Sequence, residues 1–250
     1  EIKKFKFNLS SGRGKITFQE PIQVSAMVKE IKFLGQYDKR VGRLKIENLT
    51  LDLDKGDALK LPAPFDHEWP GRRVSLKANY DFDFERLTVQ EINFFTKEGK
   101  VAASATIHKS MDRVTFGLDG EANDLAIKQI LAAWPKGLSG IAREWLIENM
   151  VAGTVPSMKA NMTGSYSRKN GFEVSTIQGF MDFQDMTVDY FSSMSKLTAA
   201  EGKVKFGRDQ IDIEIKRGKS NGLLIENGQV LFTGLDKIDQ YVAVRFEIKG

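Results

Sequence analysis

Apolar and charged side chains alternate residue by residue along most of this chain, which confines it to a protein built of half-exposed β-strands. Phe5, Phe7 and Leu9 alternate with Lys4, Lys6 and Asn8. A period of two sends successive side chains to opposite faces of an extended strand, so each such run is a ribbon with one apolar side. The habit returns at Leu44, Ile46, Leu49, Leu51 and Leu53, with a change of phase near Asn48 that predicts a bulge. It continues at Val74, Leu76, Ala78 and Tyr80, a run that Phe82 and Phe84 extend, then at Val101, Ala103, Ala105 and Ile107, and at Val114, Phe116 and Leu118. The last third repeats it at Val204 and Phe206, at Ile211, Ile213 and Ile215, and at Val242, Val244, Phe246 and Ile248.

Turn signals separate the runs: Lys55-Gly56-Asp57, Lys97-Glu98-Gly99, Lys169-Asn170-Gly171, Gly207-Arg208-Asp209 and Asn227-Gly228. Short connections join neighbours in sequence, so the expected architecture is mainly β, an elongated antiparallel meander forming a curved, open, groove-like sheet. The stretch from Leu61 to Pro70 holds three prolines and is expected to be a loop crossing one edge of the sheet.

One segment breaks the rhythm. Ile127, Ile130, Leu131 and Trp134 are spaced for one face of a helix, with Asp124 placed to cap its start. Pro135 and Gly137 end it, and a second stripe follows at Leu138, Ile141, Ala142, Trp145 and Leu146, stopping before Gly153. The chain therefore divides into a β segment over 1–120, a two-helix insert over 121–153 and a second β segment over 154–250, read as one continuous domain. Beginning at Glu1 without methionine, it looks excised from a longer protein whose other segments would be its neighbours, and any anchor would lie outside it.

Composition narrows the function. A net charge of +4 over 250 residues permits anionic partners, but cations and carboxylates alternate along the strands, as at Lys205, Asp212, Glu214 and Lys216. That pattern fits a solvated sheet face and argues against nucleic acid. No cysteine is present, which removes disulfides, zinc-thiolate sites and thiol nucleophiles. No apolar run reaches the roughly 18 residues of a membrane-spanning helix.

Catalytic patterns fail one by one, and no metal or cofactor is expected. His67 and His108, the only histidines, sit in unrelated contexts, one in a loop and one at a strand end. Gly218-Lys219-Ser220 ends like a phosphate-binding loop, yet Ile213 stands where the first glycine belongs. Ser193-Met194-Ser195-Lys196 has the bare S-x-x-K spacing without its companion motifs. Asp52/Asp54 and Asp81/Asp83 have the spacing that puts both members on the polar side of one strand, where solvation accounts for them. Asn48-Leu49-Thr50 and Asn161-Met162-Thr163 match the glycosylation sequon, a pattern common by chance. An apolar side on so many strands then has two readings: a closed core, as in a β-sandwich, or an open face that holds acyl chains.

The helical segment also carries a resemblance. Leu131-x-x-Trp134-Pro135-x-Gly137-Leu138, then Ala142-Arg143-x-Trp145, Glu148-Asn149, Gly153 and Val155 resemble the signature of the AsmA-like domain of unknown function in bacterial envelope proteins, in its YhdP and TamB branch. Flanking stretches are similar as well: Ile177-Gln178-Gly179-Phe180 with Asp182-Phe183 and Tyr190, Gly202-Lys203-Val204, and Gly222 to Leu235; upstream, Gly42-Arg43-Leu44 and Leu61-Pro62-Ala63-Pro64. The resemblance covers roughly Gly35 to Gly250.

It implies lipid traffic: a periplasmic segment of an inner-membrane-anchored protein whose β groove passes phospholipid acyl chains toward the outer membrane. On that expectation the lining comes from one phase of the strands, with Phe82, Val101, Ala103, Phe206, Ile211, Ile213, Ile215, Val244 and Phe246 as candidates, each of which ordinary core packing also explains. Trp134 and Trp145 become packing anchors. Arg143 has Glu144, Glu148 or a lipid phosphate as possible partners. An assembly module for outer-membrane biogenesis stays open beside this reading.

Overall fold

The computed structural model describes residues 4–18, 24–54, 58–60, 68–134, 140–189, 195–237 and 239–249. Its first strands are β1 (Lys4–Ser11), β2 (Gly14–Phe18), β3 (Val24–Val28), β4 (Glu30–Asp38), β5 (Arg43–Asp52), β6 (Ala58–Lys60), β7 (Glu68–Pro70), β8 (Arg73–Asp81), β9 (Arg86–Phe95), β10 (Lys100–Lys109) and β11 (Arg113–Ala126). Two helices follow, α1 (Ile127–Ala132) and α2 (Gly140–Asn149), and then β12 (Met150–Ser167), β13 (Gly171–Val188), β14 (Leu197–Gly207), β15 (Gln210–Ser220), β16 (Leu223–Thr233) and β17 (Tyr241–Lys249). Among the described residues, thirteen strands form one antiparallel sheet in the order β1-β4-β5-β8-β9-β10-β11-β12-β13-β14-β15-β16-β17, not closed into a barrel. The protein is therefore mainly β, an antiparallel meander with a short two-helix insert.

Near the start the meander departs from simple succession. β1 pairs with β4 and not with the next strand, because β2 and β3 leave the sheet and join β6 and β7 in a second one, ordered β2-β3-β6-β7. Burial accounts for the detour: Ala26 and Val28 of β3 pack against Leu51, Leu53, Val74 and Phe94. Pro70, expected in a loop, closes β7, a strand at the edge of this small sheet where its missing N–H breaks no ladder. Residues 61–67 of that expected loop, and Lys55-Gly56-Asp57, lie outside the described residues.

The expected bulge near Asn48 is present: Leu34 faces Asn48 while Gly35 faces Ile46, leaving Glu47 unmatched. Two other readings are corrected. Phe82 and Phe84 do not extend β8; they occupy the turn over 82–85, where Glu85 takes a left-handed φ of 43°. Asn227-Gly228 is not a hairpin turn but lies within β16, and the true turn there is Asn221-Gly222, with φ of 50° and 80°, the geometry two-residue hairpins favour.

The chain forms two compact units, one of residues Glu1–Gly120 with Met162–Ser175, the other of Glu121–Asn161 with Thr176–Gly250. In the second unit a recurring device shapes the strands. Asp124, Asp185, Ala199 and Asn227 all have φ between 47° and 56°. Each sits in a gap of three between two buried residues: Ala122 and Leu125, Phe183 and Met186, Leu197 and Ala200, Ile225 and Gly228. An extra residue would throw every later side chain to the wrong face, and the left-handed position absorbs it as a bulge. Asp124 is used this way and does not cap α1. The N-cap is Ala126, whose N–H donates to Gln129 Oε1 at 3.0 Å.

Candidate functional site

Cross-strand register sorts the first unit's main sheet into rows. Directly opposed residues on adjacent antiparallel strands point to the same face, and the pairing aligns Phe5, Tyr37, Leu44, Tyr80, Leu87 and Ile107 in one row. The next row is Phe7, Gly35, Ile46, Ala78, Val89 and Ala105, and the third is Leu9, Phe33, Leu49, Leu76, Ile92 and Ala103. A fourth runs Ile31, Leu51, Val74, Phe94 and Val101. Four rows across β1, β4, β5, β8, β9 and β10 thus make one apolar face.

The fourth row is closed over, and Leu49 and Ile92 of the third pack against the same cluster. Leu51, Val74 and Phe94 are buried under the small sheet, where Trp69 meets the Phe94 ring edge-on at 6.0 Å. In the other three rows Gly35 and Ala78 are buried, the β1 residues are exposed, and the rest are half-buried. Side chains screened by their row neighbours but not sealed by a second layer leave apolar surface open to solvent.

The opposite face of the same strands is ionic. Lys4 faces Asp38 at 3.4 Å, Arg43 faces Asp81 at 2.9 Å, Lys77 faces Glu91 at 3.1 Å, and Arg73 pairs with Asp52, all of them directly opposed in register. The Arg43 guanidinium holds the Asp81 carboxyl below its usual range, and Arg40 does the same for Asp38. Asp54 is paired with Arg13 at 3.1 Å. Asp52, Asp54 and Asp81 are thus each tied to a cation, and Asp83 stands in the 82–85 turn against Gly42. Among the described residues no group of three His, Asp or Glu side chains is arranged to hold a metal, and no helix is long and apolar enough to cross a membrane. His108 is exposed near the end of β10, whereas His67 and Ser193 lie outside the described residues.

The second unit carries its own apolar rows, which are buried or half-buried from β14 to β16 and exposed at Val242 and Val244 of β17. Phe206, Ile211, Phe232 and Val242 align, as do Val204, Ile213, Val230 and Val244, while Gly202, Ile215 and Gly228 form a third row. Glycines in these rows lie beneath rings: a Cβ at Gly202 would meet Phe183, one at Gly179 would meet Phe206, and one at Gly228 would meet Phe246. Ile127, Leu131 and Leu146 of the helices pack into the same cluster as Ile211, Ile213 and Ile215. Trp145 lies against Phe232 with ring centroids 5.7 Å apart.

The candidate lining residues therefore separate. Ala103 stands in an open row of the first unit, whereas Val101 belongs to the fourth row and packs against the cluster under the small sheet. Ile211, Ile213 and Ile215 are buried in the cluster that Ile127, Leu131 and Leu146 join, Phe206 and Phe246 pack against that core, and Val244 on β17 is 57% exposed. Phe82 is half exposed in its turn. Pairing partners such as Ile46 and Val89 belong to the open face as fully as Ala103 does, and register identifies the row they share.

The signature residues organise the helix pair. Arg143 Nε donates to the carbonyl of Trp134 at 3.3 Å, tying α2 to the end of α1. Asn149 Nδ2 donates to the Trp145 carbonyl at 2.7 Å, and its own carbonyl accepts the Asp189 N–H. Gly153 has a φ of 139°, and a Cβ there would strike Met186. Pro135 and Gly137 lie outside the described residues. No family model, curated protein or solved structure matches the chain.

Proposed function

We propose that the chain is a non-enzymatic lipid-binding segment that carries phospholipid acyl chains along the open apolar face of its first unit. The observation that supports this is the set of two uncovered rows, with a third covered only at Leu49 and Ile92, across β1, β4, β5, β8, β9 and β10, backed by a face of cross-strand ion pairs. A chain of about fifteen methylenes costs on the order of 12 kcal/mol to leave in water, at roughly 0.8 per CH₂. A row of half-buried Leu, Ile, Val and Ala side chains relieves much of that cost without chemistry. The ionic back keeps a single-layer sheet soluble, so the apolar side needs no second layer for solubility. In the second unit the β14–β16 residues of the corresponding rows share a buried cluster with Ile127, Leu131 and Leu146 of the helices, which favours the first unit for the acyl path.

On the resemblance alone we assign the protein to the periplasm, as part of an inner-membrane-anchored envelope protein moving phospholipid between the two membranes. The test uses photo-crosslinking residues at Ala103 and Ala105, on the open face, and at Thr88 and Thr106, on the opposite face, after incubation with phosphatidylethanolamine and phosphatidylglycerol vesicles. Phospholipid adducts at the first pair and none at the second are expected. Equal capture at both pairs, or none at either, overturns the proposal, and capture of a barrel protein instead favours an assembly module.

A further inference from the structure

Three turns of the first unit push apolar side chains into solvent at one end of its sheet. Val41 lies in the β4–β5 turn, Phe82 and Phe84 in the β8–β9 turn, and Met111 in the β10–β11 turn. Val41 and Phe82 are half exposed, Phe84 more so, and Met111 is fully exposed. Antiparallel succession puts these three turns at the same strand ends, with tips about 10 Å apart for strands spaced about 4.8 Å. Backbone hydrogen bonds stitch them together: the Phe82 N–H donates to the Gly42 carbonyl at 2.8 Å, and the Lys109 N–H donates to the Glu85 carbonyl at 3.0 Å. They form one ridge.

The ridge continues the open apolar rows without a polar closing residue. The Phe82 ring meets Tyr80 edge-on at 4.7 Å and Tyr37 at 5.8 Å, and both tyrosines stand in the outermost row. Turn tips are ordinarily polar, so large apolar groups on three stitched turns mark a contact surface. Cations are interleaved with them. Arg86 holds its guanidinium 6.0 Å from the Phe84 ring centroid, and Arg40 and Lys109 stand at the neighbouring turns. Asp83, Glu85 and Asp112 lie among them, so positive and negative charge nearly balance. Apolar tips with aromatic rings and a mixed, nearly neutral belt match the interface of a phospholipid bilayer better than a strongly anionic partner.

We propose that this ridge seats the first unit on the head-group layer of a phospholipid bilayer, with Phe84 and Met111 entering the acyl boundary. The docking stands independently; the further step, passage of an acyl chain past Phe82 into the rows, rests on the lipid reading above. Because the chain has no cysteine, Met111→Cys and, at the opposite strand ends, Lys97→Cys each give a single site for an environment-sensitive nitrobenzoxadiazole label. With phosphatidylcholine vesicles the label at Met111 is expected to brighten several-fold and to be quenched by spin-labelled acyl chains, while that at Lys97 stays unchanged. The unlabelled Phe82→Ser/Phe84→Ser/Met111→Ser variant is expected to float with vesicles roughly tenfold less than the parent. A silent Met111 label, equal responses at both sites, or undiminished flotation of the triple variant overturns the docking. If the Met111 label responds but the Ala105 crosslinker captures no lipid, the docking holds and the acyl-path reading falls.

Discussion

Replacing Gly202 with alanine is expected to destabilise the second unit by about 2 kcal/mol, while the same change at Gly228 stays within about 0.5 kcal/mol of the parent. Both glycines share a row and lie beneath phenylalanine rings, but what resists the new methyl differs. At Gly202, on β14 with hydrogen-bonded neighbours on both sides, a Cβ runs into the backbone carbonyl of Glu214 on β15 and lies 2.7 Å from the Phe183 ring. Phe183 is itself buried, so neither obstacle can swing aside. At Gly228 the nearest atoms are the Phe246 ring at 2.6 Å and the Ile215 Cβ at 3.2 Å. Phe246 stands half-buried on β17, which lacks a strand on its outer side among the described residues.

Overpacking costs about 1–3 kcal/mol, towards the upper end where backbone must move, and alanine recovers roughly 0.4–1 kcal/mol by restricting the unfolded chain. In a Trp69→Phe background, urea unfolding followed by Trp134 and Trp145 fluorescence reads the second unit. With a slope of about 3 kcal/mol per molar, the Gly202 variant should lose about 0.7 M in midpoint. Adding Phe183→Leu should rescue little, because the Glu214 carbonyl remains. A Gly202 variant as stable as the parent, a Gly228 variant equally damaged, or full rescue by Phe183→Leu would refute the reasoning.

Ala199 holds a left-handed φ of 47° that costs an L-residue roughly 1 kcal/mol, so Ala199→Gly should stabilise by about 0.5 kcal/mol and Ala199→Val should destabilise, both measured by urea midpoint. The carboxyl of Asp81 is held below its ordinary value of 3.8 by Arg43, so the stability it contributes is present above that value and is lost as the pH falls through the lower folded value. Protection of the β5 and β8 amides, measured relative to their intrinsic exchange rates, should therefore fall below pH 3.8 in the parent, and Asp81→Asn should flatten that part of the profile. Trp145→Ala removes the ring that lies on Phe232 and should cost about 2–3 kcal/mol, less than a fully buried tryptophan, with loss of near-ultraviolet circular dichroism.

Alternation in the sequence carried the strands well, because a period of two is a local property that each ribbon states by itself. The phase change at Asn48 is legible for the same reason, and the helix pair is legible because Ile127, Leu131 and Leu146 follow a different period. The small sheet was not legible: nothing local says that β2 and β3 abandon β1, since the decision lies in the burial of Val28 against Val74 and Phe94, residues distant in sequence. Asn227-Gly228 misled because a left-handed asparagine followed by glycine serves a bulge as readily as a hairpin. The open face was half legible. One strand shows which of its residues are apolar, so Val101 and Ala103 stood out, but only cross-strand register shows that Ala103 continues into Ile92 and Leu76, and only the folded core shows that Ile213 is buried with Leu131 and Leu146 while Ala103 is not.

The linear strand order has a kinetic side. From β8 to β11 and again from β12 to β17, hydrogen-bonded neighbours are also neighbours in sequence, so each pairing closes a short loop and its entropy cost stays low for an all-β protein. Formation can begin at any of several hairpins and spread strand by strand, as in repeat proteins whose units touch only the next in line. The exceptions are β1, which must wait for β4 while β2 and β3 settle elsewhere, and β5, which pairs with β8 across the excursion of β6 and β7. The edge strand β1 should thus be among the last to pair and the first to fray, and its amides should exchange sooner than those of β8 and β9.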